Sequence, residues 1–343
     1  SPEWPDGHPL MAFRSTDGPG TFWHNGANPE PGHLGMDSPT IAPDGQIFLH
    51  EWDGRPYAGV DVGDAIYESW SPYEGSGVGH SDPSLHGSGD DLRVVVGSRR
   101  PTVDCFGAWA ELLWSVDVPV GIDASPVIDP ADGRIYVPAG FDDIWVVGLD
   151  RDGNPLWGQT AYQLYSWEGG TNDPRRAYGG CLSHDGETLY FQATGLAEDG
   201  ALYAINTADG SLKWTVNTHA RLDSELGPAP IVTLNGVVIV GNGDGDTYYA
   251  ILDEGGHGTV IDSIAVDPDG AAISSPTLSD DGMLYLPLRT VWLTGSTAPE
   301  TLWIFAGYLR RFSSSSTSKA RPDFNQSSQA EGASRDFSVM TRR

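Results

Sequence analysis

The sequence predicts an all-β chain folded as a β-propeller of six to seven, at most eight, four-stranded blades. Three observations carry this. A four-strand pattern recurs every 43 to 55 residues, the size of one propeller blade. Asp-Gly and Asn-Gly pairs, which supply the positive φ of tight hairpins, punctuate the units. Gly (44) and Pro (25) make up about a fifth of the 343 residues without a collagen period, so they mark turns rather than a fibre.

The clearest unit is residues 178–214, "YGGCLSHDGETLYFQATGLAEDGALYAINTADGSLKW". It reads as a short strand, an Asp-Gly turn, a strand, a loop, a strand, a polar hairpin and a strand ending in Trp214. Alternating Leu, Tyr and Phe put one face of each strand toward a neighbour. The same order appears in residues 38–70, 82–114 and 125–157, which end at Trp70, Trp114 and Trp157. Residues 229–264 repeat it with Ile264 where the Trp is expected, and residues 275–308 form the last unit. The equivalent first-strand positions are Pro39, Pro83, Pro126, Cys181, Pro230 and Pro276.

Residues 10–23, "LMAFRSTDGPGTFW", match "LYAINTADGSLKW" of residues 202–214. The N-terminus is therefore expected to supply the outer two strands of a blade whose inner strands come from elsewhere. Such sharing closes a ring that would otherwise leave two unpaired edges. The stretch "TLWIFAGY" of the last unit competes for the same place.

These repeats resemble the PQQ-like (quinoprotein-type) β-propeller family. The resemblance rests on Leu202, Tyr203, Ala204, Asp209, Gly210 and Trp214, repeated most clearly from Ile144 to Trp157, and covers about residues 10–308. It implies that the tryptophans dock between neighbouring blades. It also implies that the loops entering each innermost strand face the functional end of the channel. Quinoprotein dehydrogenases of this kind are longer, stack the quinone on a vicinal disulfide and hold Ca²⁺ through Glu, Asn and Asp. Here Cys105 and Cys181 lie far apart in sequence, and no stretch matches those ligands. PQQ is therefore not the expected cofactor. The two cysteines fit a disulfide or two buried thiols equally well.

Charge narrows the partners. The formal net charge is −28, from 47 acids and 19 bases. Nucleic acid needs a basic face and is not an expected partner. No apolar run is long enough to span a membrane. The acidic surface and the "SPEWPDGHPL" opening fit a mature extracellular or periplasmic protein, expected to be a monomer. Residues 309–343 break the pattern: seven Arg or Lys, three Asp or Glu and a serine run, with no strand alternation. The chain thus divides into a propeller, 1–308, and a flexible or appended tail, 309–343. A natural linker, an appended remnant and a basic strap on the acidic body all fit that tail.

Four loops entering innermost strands carry candidate chemistry. They hold His24, His33 and Asp37; His80, Asp82 and His86; Asn172, Asp173, Arg175, Arg176 and Tyr178; and His219, Arg221, Asp223 and Glu225. Arginine is scarce in the body, so Arg175, Arg176 and Arg221, with Asp37 and Asp82, are the expected binding residues. A guanidinium holds a carboxylate or sulfate through two parallel hydrogen bonds. The same arginines would equally serve to pair with Asp173, Asp223 and Glu225 and order the loops. For calcium, "GNGDGDTYY" offers Asn242, Asp244 and Asp246 at alternate positions. "DRDGN" offers Asp150, Asp152 and Asn154, but the repeat makes that stretch a hairpin turn. Neither run completes an EF-hand, and no Cys/His spacing suggests zinc.

Three functions follow as expectations. The first is a secreted or periplasmic, non-catalytic propeller holding a protein or glycan partner at the channel mouth. The second is a lyase acting on an anionic polysaccharide, with His80 or His219 and Tyr178 in proton transfer beside the arginines. The third is a quinoprotein-like dehydrogenase. Fold alone does not choose among them.

Overall fold

The computed structural model describes residues 39–50, 81–166, 175–195, 200–220, 227–243, 245–265 and 275–278. It also describes strands Met11–Phe13, Phe22–His24, Pro56–Asp61, Ile66–Trp70, Gly270–Ala271, Met283–Thr290 and Trp303–Tyr308. All of these lie in the compact unit Ser1–Leu309. The tail beyond it lies outside the described residues.

Six antiparallel sheets follow one another in chain order. Sheet I runs Thr40–Ile41, Gln46–His50, Pro56–Asp61, Ile66–Trp70. Sheet II runs Ser84–His86, Arg93–Ser98, Thr102–Gly107, Leu112–Asp117. Sheet III runs Val127–Ile128, Ile135–Ala139, Ile144–Leu149, Ala161–Tyr165. Sheet IV runs Arg175–Leu182, Thr188–Gly195, Gly200–Asn206, Leu212–Ala220. Sheet V runs Ile231–Val232, Val237–Gly241, Thr247–Asp253, Gly258–Ala265. Sheet VI joins Gly270–Ala271 and Thr277–Leu278 to Met283–Thr290 and Trp303–Tyr308. Among the described residues the one helical element is a 3-10 turn, Gly89–Asp91.

Each sequence anchor sits at an innermost strand. The five anchor prolines immediately precede Thr40, Ser84, Val127, Ile231 and Thr277, and Cys181 lies inside its strand. Proline suits this place because it fixes φ and gives up an N–H at the edge of the sheet. Met11–Phe13 pairs with Phe22–His24 as a two-stranded hairpin. The third-strand place in sheet VI is taken by Trp303–Tyr308.

Apolar clusters form between consecutive sheets. Phe48 and Ala58 of sheet I meet Val94, Val96 and Phe106 of sheet II. Val95, Val103 and Cys105 of sheet II meet Ile135, Val137 and Val147 of sheet III. Ile144 and Val146 of sheet III meet Leu189, Phe191 and Tyr203 of sheet IV. Tyr190, Leu202 and Trp214 of sheet IV meet Val238, Val240 and Ile251 of sheet V. Ile239 and Tyr248 of sheet V meet Leu284 and Leu286 of sheet VI. A middle strand is therefore buried on both faces, which explains apolar runs such as "RVVVGS" and "IYVPA" in place of strict alternation.

Three of the repeat tryptophans dock on the next sheet. The Trp114 indole N–H donates to Arg151 O at 3.1 Å, Trp157 to Thr207 O at 3.0 Å, and Trp214 to Asp253 Oδ1 at 3.0 Å. The receiving hairpins need glycine at the contact: a Cβ on Gly153 would stand 2.9 Å from the Trp114 ring, and one on Gly210 2.7 Å from Trp157. In register, Trp70, Trp114 and Trp214 face the small residues Ala58, Cys105 and Ala204. Sheet V departs here. Its small residue Ala250 faces Asp262, so Asp262, not Ile264, stands at the tryptophan position. The register shifts beyond Ala250 as it does beyond Ala58 and Ala204.

Hydroxyls stitch neighbouring innermost strands together. Thr40 Oγ1 donates to Pro83 O at 2.6 Å and Ser84 Oγ to Pro126 O at 2.5 Å. The Asp82 N–H donates to Ser125 Oγ at 3.1 Å, and the Ala229 N–H to Ser275 Oγ at 2.9 Å. The Ser-Pro pairs of the repeat thus carry an inter-sheet bond. Cys105 and Cys181 are both free thiols, and burial pushes each up to about 12. Neither is poised as a nucleophile.

Candidate functional site

Strand direction gives the molecule two different ends. Every innermost strand described starts at the end where the second strand turns into the third, here termed the mouth. The Asp-Gly hairpins lie at the other end. Arg99, just after strand Arg93–Ser98, and Arg175 and Arg176, opening strand Arg175–Leu182, all lie at the mouth.

A short strand, Phe141–Asp142, crosses from sheet III to pair with Arg176 and Arg175 of sheet IV. Its approach requires Gly140, whose φ is +139°. A Cβ there would stand 1.8 Å from Asp143 O. Gly140 N–H donates to Gly121 O at 3.1 Å, and Ala177 N–H donates to Gly140 O at 3.3 Å. The Phe141 ring is thereby fixed between sheets II and IV. The Arg99 guanidinium lies 5.2 Å from its centroid and that of Arg176 4.9 Å, distances typical of cation–π contact.

The three arginines differ in their commitments. Arg99 is bidentate to Asp123, Nε to Oδ1 at 2.8 Å and Nη2 to Oδ2 at 3.1 Å. The Asp123 side chain is 0% exposed and that of Arg99 26%. Arg175 stacks on Tyr165 at 4.1 Å and donates from Nη1 to the Tyr203 hydroxyl at 2.7 Å. It orders the sheet III–IV seam. Arg176 is half-buried on Phe141 and reaches the Tyr178 hydroxyl. Among the described residues no carboxylate pairs with it.

Tyr178 is buried, and a Cβ on Gly227 of the next segment would touch its ring at 2.3 Å. Burial pushes its hydroxyl up to about 12, against hydrogen bonds to Thr194 and Arg176 that pull it down. His219 is exposed with φ +53°, and its N–H donates to Asn217 Oδ1 at 2.6 Å. It sits on the outermost strand of sheet IV, three strands from Tyr178, or about 14 Å at the usual strand spacing. The structure does not bring these two together. Asp82 accepts at Oδ2 from Ser125 Oγ at 3.1 Å and belongs to the inter-sheet stitching.

In the loop after Gly241, Asn242 Oδ1 accepts the Thr247 N–H at 2.9 Å and Asp246 Oδ1 accepts Thr247 Oγ1 at 2.8 Å. Both side chains close the turn. Among the described residues no group of three His, Cys, Asp or Glu converges as a metal site. Asp150 accepts the N–H groups of Asp152 and Asn154, each at 2.9 Å, as a hairpin turn does. His80, Arg221, Asp37 and Asp244 lie outside the described residues.

Arg99, Asp123 and Phe141 are not among the residues singled out from the sequence. They lie in the turns between second and third strands and in a sheet-to-sheet linker, which share the mouth with the loops entering innermost strands. The doublet "RRP" at 99–101, in so acidic a chain, is the signal that marks them.

Four-stranded antiparallel sheets packed in chain order, with tryptophan clamps between them, are the architecture of a β-propeller. A chain in a crystal structure of a mitotic checkpoint complex has the same fold, with TM-score 0.60 and 11% identity over 81% of this chain and 80% of that one. In sequence, the chain is 26% identical over 198 residues to the outer membrane protein assembly factor BamB of Moranella endobia (strain PCIT). That match covers 54% of this chain and 46% of the relative, so it spans about half of the relative's length. No family model matches the chain.

Proposed function

We propose that this chain is a non-catalytic, periplasmic propeller of PQQ-like repeats that binds a protein partner at its mouth, as part of an assembly process. The observation that carries the reading is its 198-residue similarity to an outer-membrane protein assembly factor. The site supports it. Arg176 is held on Phe141 beside the paired Arg99 and has no carboxylate partner among the described residues. It is placed to receive an acidic side chain of the partner. The lyase reading asks Tyr178 to act with His80 or His219; His219 stands three strands away, and His80 lies outside the described residues.

Photo-crosslinking tests the proposal. A photoreactive residue in place of Asp142 should give a discrete protein adduct in cells, reduced by Arg176→Ala. The same residue in place of Ser211, at the hairpin end, should not give that adduct. Release of unsaturated products from a panel of uronate polysaccharides, lost with Tyr178→Phe, would overturn it.

A further inference from the structure

The hairpin between the third and fourth strands of sheet II breaks a rule that its neighbours keep. In sheets III, IV and V this hairpin is polar: residues 150–154 "DRDGN", 207–211 "TADGS" and 254–257 "EGGH". Glycine holds the positive-φ place in each, as Gly153, Gly210 and Gly255. In sheet II residues 108–111 read "AWAE" and the next strand opens with Leu112 and Leu113, where sheet IV has Leu212, 45% exposed, and Lys213. Trp109 is 78% exposed, Leu112 57% and Leu113 37%. Ala110 takes a φ of +63° where the others use glycine.

This turn is fixed. The Trp109 N–H donates to Glu111 Oε2 at 3.0 Å, Gly107 N–H to Glu111 O at 2.9 Å, and Ala110 N–H to Gly107 O at 3.2 Å. The Glu111 carboxylate fills the space that a Cβ on Gly107 would take. The indole is displayed from a hydrogen-bonded turn, and Leu112 and Leu113 open the strand that follows it. The core between sheets II and III is completed by Trp114, not Trp109. An exposed aromatic–aliphatic patch on a fixed element is the form that binding anchors take.

Charge selects the occupant. The same end of sheet II carries Asp90, Asp91 and Glu111, all exposed. The hairpin on which Trp114 docks adds Asp150 and Asp152. Against these five acids stand Arg93, whose Nη1 donates to Leu92 O at 3.4 Å, and Arg151. We propose that Trp109, Leu112 and Leu113 form a second protein-docking surface, taking a basic peptide segment with an apolar anchor residue. An acidic rim favours such a segment and repels an anionic lipid surface. The surface lies at the opposite end from the arginine mouth and does not depend on it.

The test uses the full chain and a random dodecapeptide phage library. Selected peptides should be rich in Lys or Arg around an aromatic or aliphatic residue. Their affinity should fall about tenfold or more in Trp109→Ala and in Leu112→Ser, and it should weaken with added salt. Both side chains are exposed, so both variants should keep the wild-type Tm. Peptides that bind Trp109→Ala as well as wild type, or whose binding ignores salt, would overturn the proposal. So would Trp109-dependent sedimentation with phosphatidylcholine vesicles, or a Trp109-dependent dimer in native mass spectrometry.

Discussion

The two ends of the propeller follow different logics. The hairpin end repeats one device. An Asp side chain accepts N–H groups of its own turn, and in sheets III, IV and V the tryptophan of the preceding sheet docks on the hairpin between third and fourth strands. Asp129, Asp132, Asp150, Asp185, Asp209 and Asp253 all accept such bonds. Among the described residues the mouth is less regular: Phe141–Asp142 crosses from sheet III to sheet IV, and Arg99, Arg175 and Arg176 each have a different partner. Repetition marks what every sheet needs in order to pack. Its loss marks where the chain has been bent to another purpose.

Substitutions should expose this contrast. The largest effect is expected for Trp214→Ala, which empties the sheet IV–V seam and removes a donor from Asp253. The loss should be about 3–5 kcal/mol in urea unfolding. Asp123→Ala at the mouth comes next. It leaves Arg99 without its carboxylate, and about 2–3 kcal/mol is expected, below the figure for a fully buried pair because Arg99 is partly exposed. Gly140→Ala should cost about 1–3 kcal/mol through its positive φ and the clash with Asp143 O. It should also release strand Phe141–Asp142, which hydrogen exchange at Ala177 would report. Arg176→Ala should cost less than about 1 kcal/mol, since it breaks no ion pair among the described residues. If Arg176→Ala proved as damaging as Asp123→Ala, the mouth would be a structural seam like the others.

The smallest effect is spread over the hairpins and reads out in acid. Serine hydroxyl bonds hold the Asp185 and Asp209 carboxyls below 3.8. For Asp132 and Asp150 burial pulls upward, but bonds from Arg134 and Asn154 outweigh it. These groups bind fewer protons folded than unfolded near pH 4. Their contribution is complete above the ordinary carboxylate value and is lost as pH falls through the lowered one. Melting temperature should therefore drop below about pH 4, and Asp150→Asn should flatten part of that slope.

Much of the hairpin end could be read in the sequence, because it is local. Asp209-Gly210 dictates its turn through backbone φ and a side chain two residues away. The alternation in "LYAIN" dictates a strand, and the period of the repeat orders the sheets. Trp214 recurs in the repeat, and the family resemblance implies its docking role. The mouth could not be read that way. Arg175, Arg176 and Tyr178 are neighbours in sequence, yet one locks Tyr203, one rides on Phe141 and one is buried against Gly227. Which happens depends on strand register and on how adjacent sheets stack.

By itself, then, the sequence determined the all-β class, the repeat and the anchor prolines, since each arises from periodicity or from a few adjacent residues, while the tryptophan clamps were implied by resemblance. Only the tertiary structure decided that Asp262 holds the tryptophan place in sheet V, that Phe141 gathers Arg99 and Arg176, and that Tyr178 and His219 stand apart. A bulge shifts register by one residue, and a contact between sheets joins positions far apart in the chain. Neither leaves a periodic mark in the sequence.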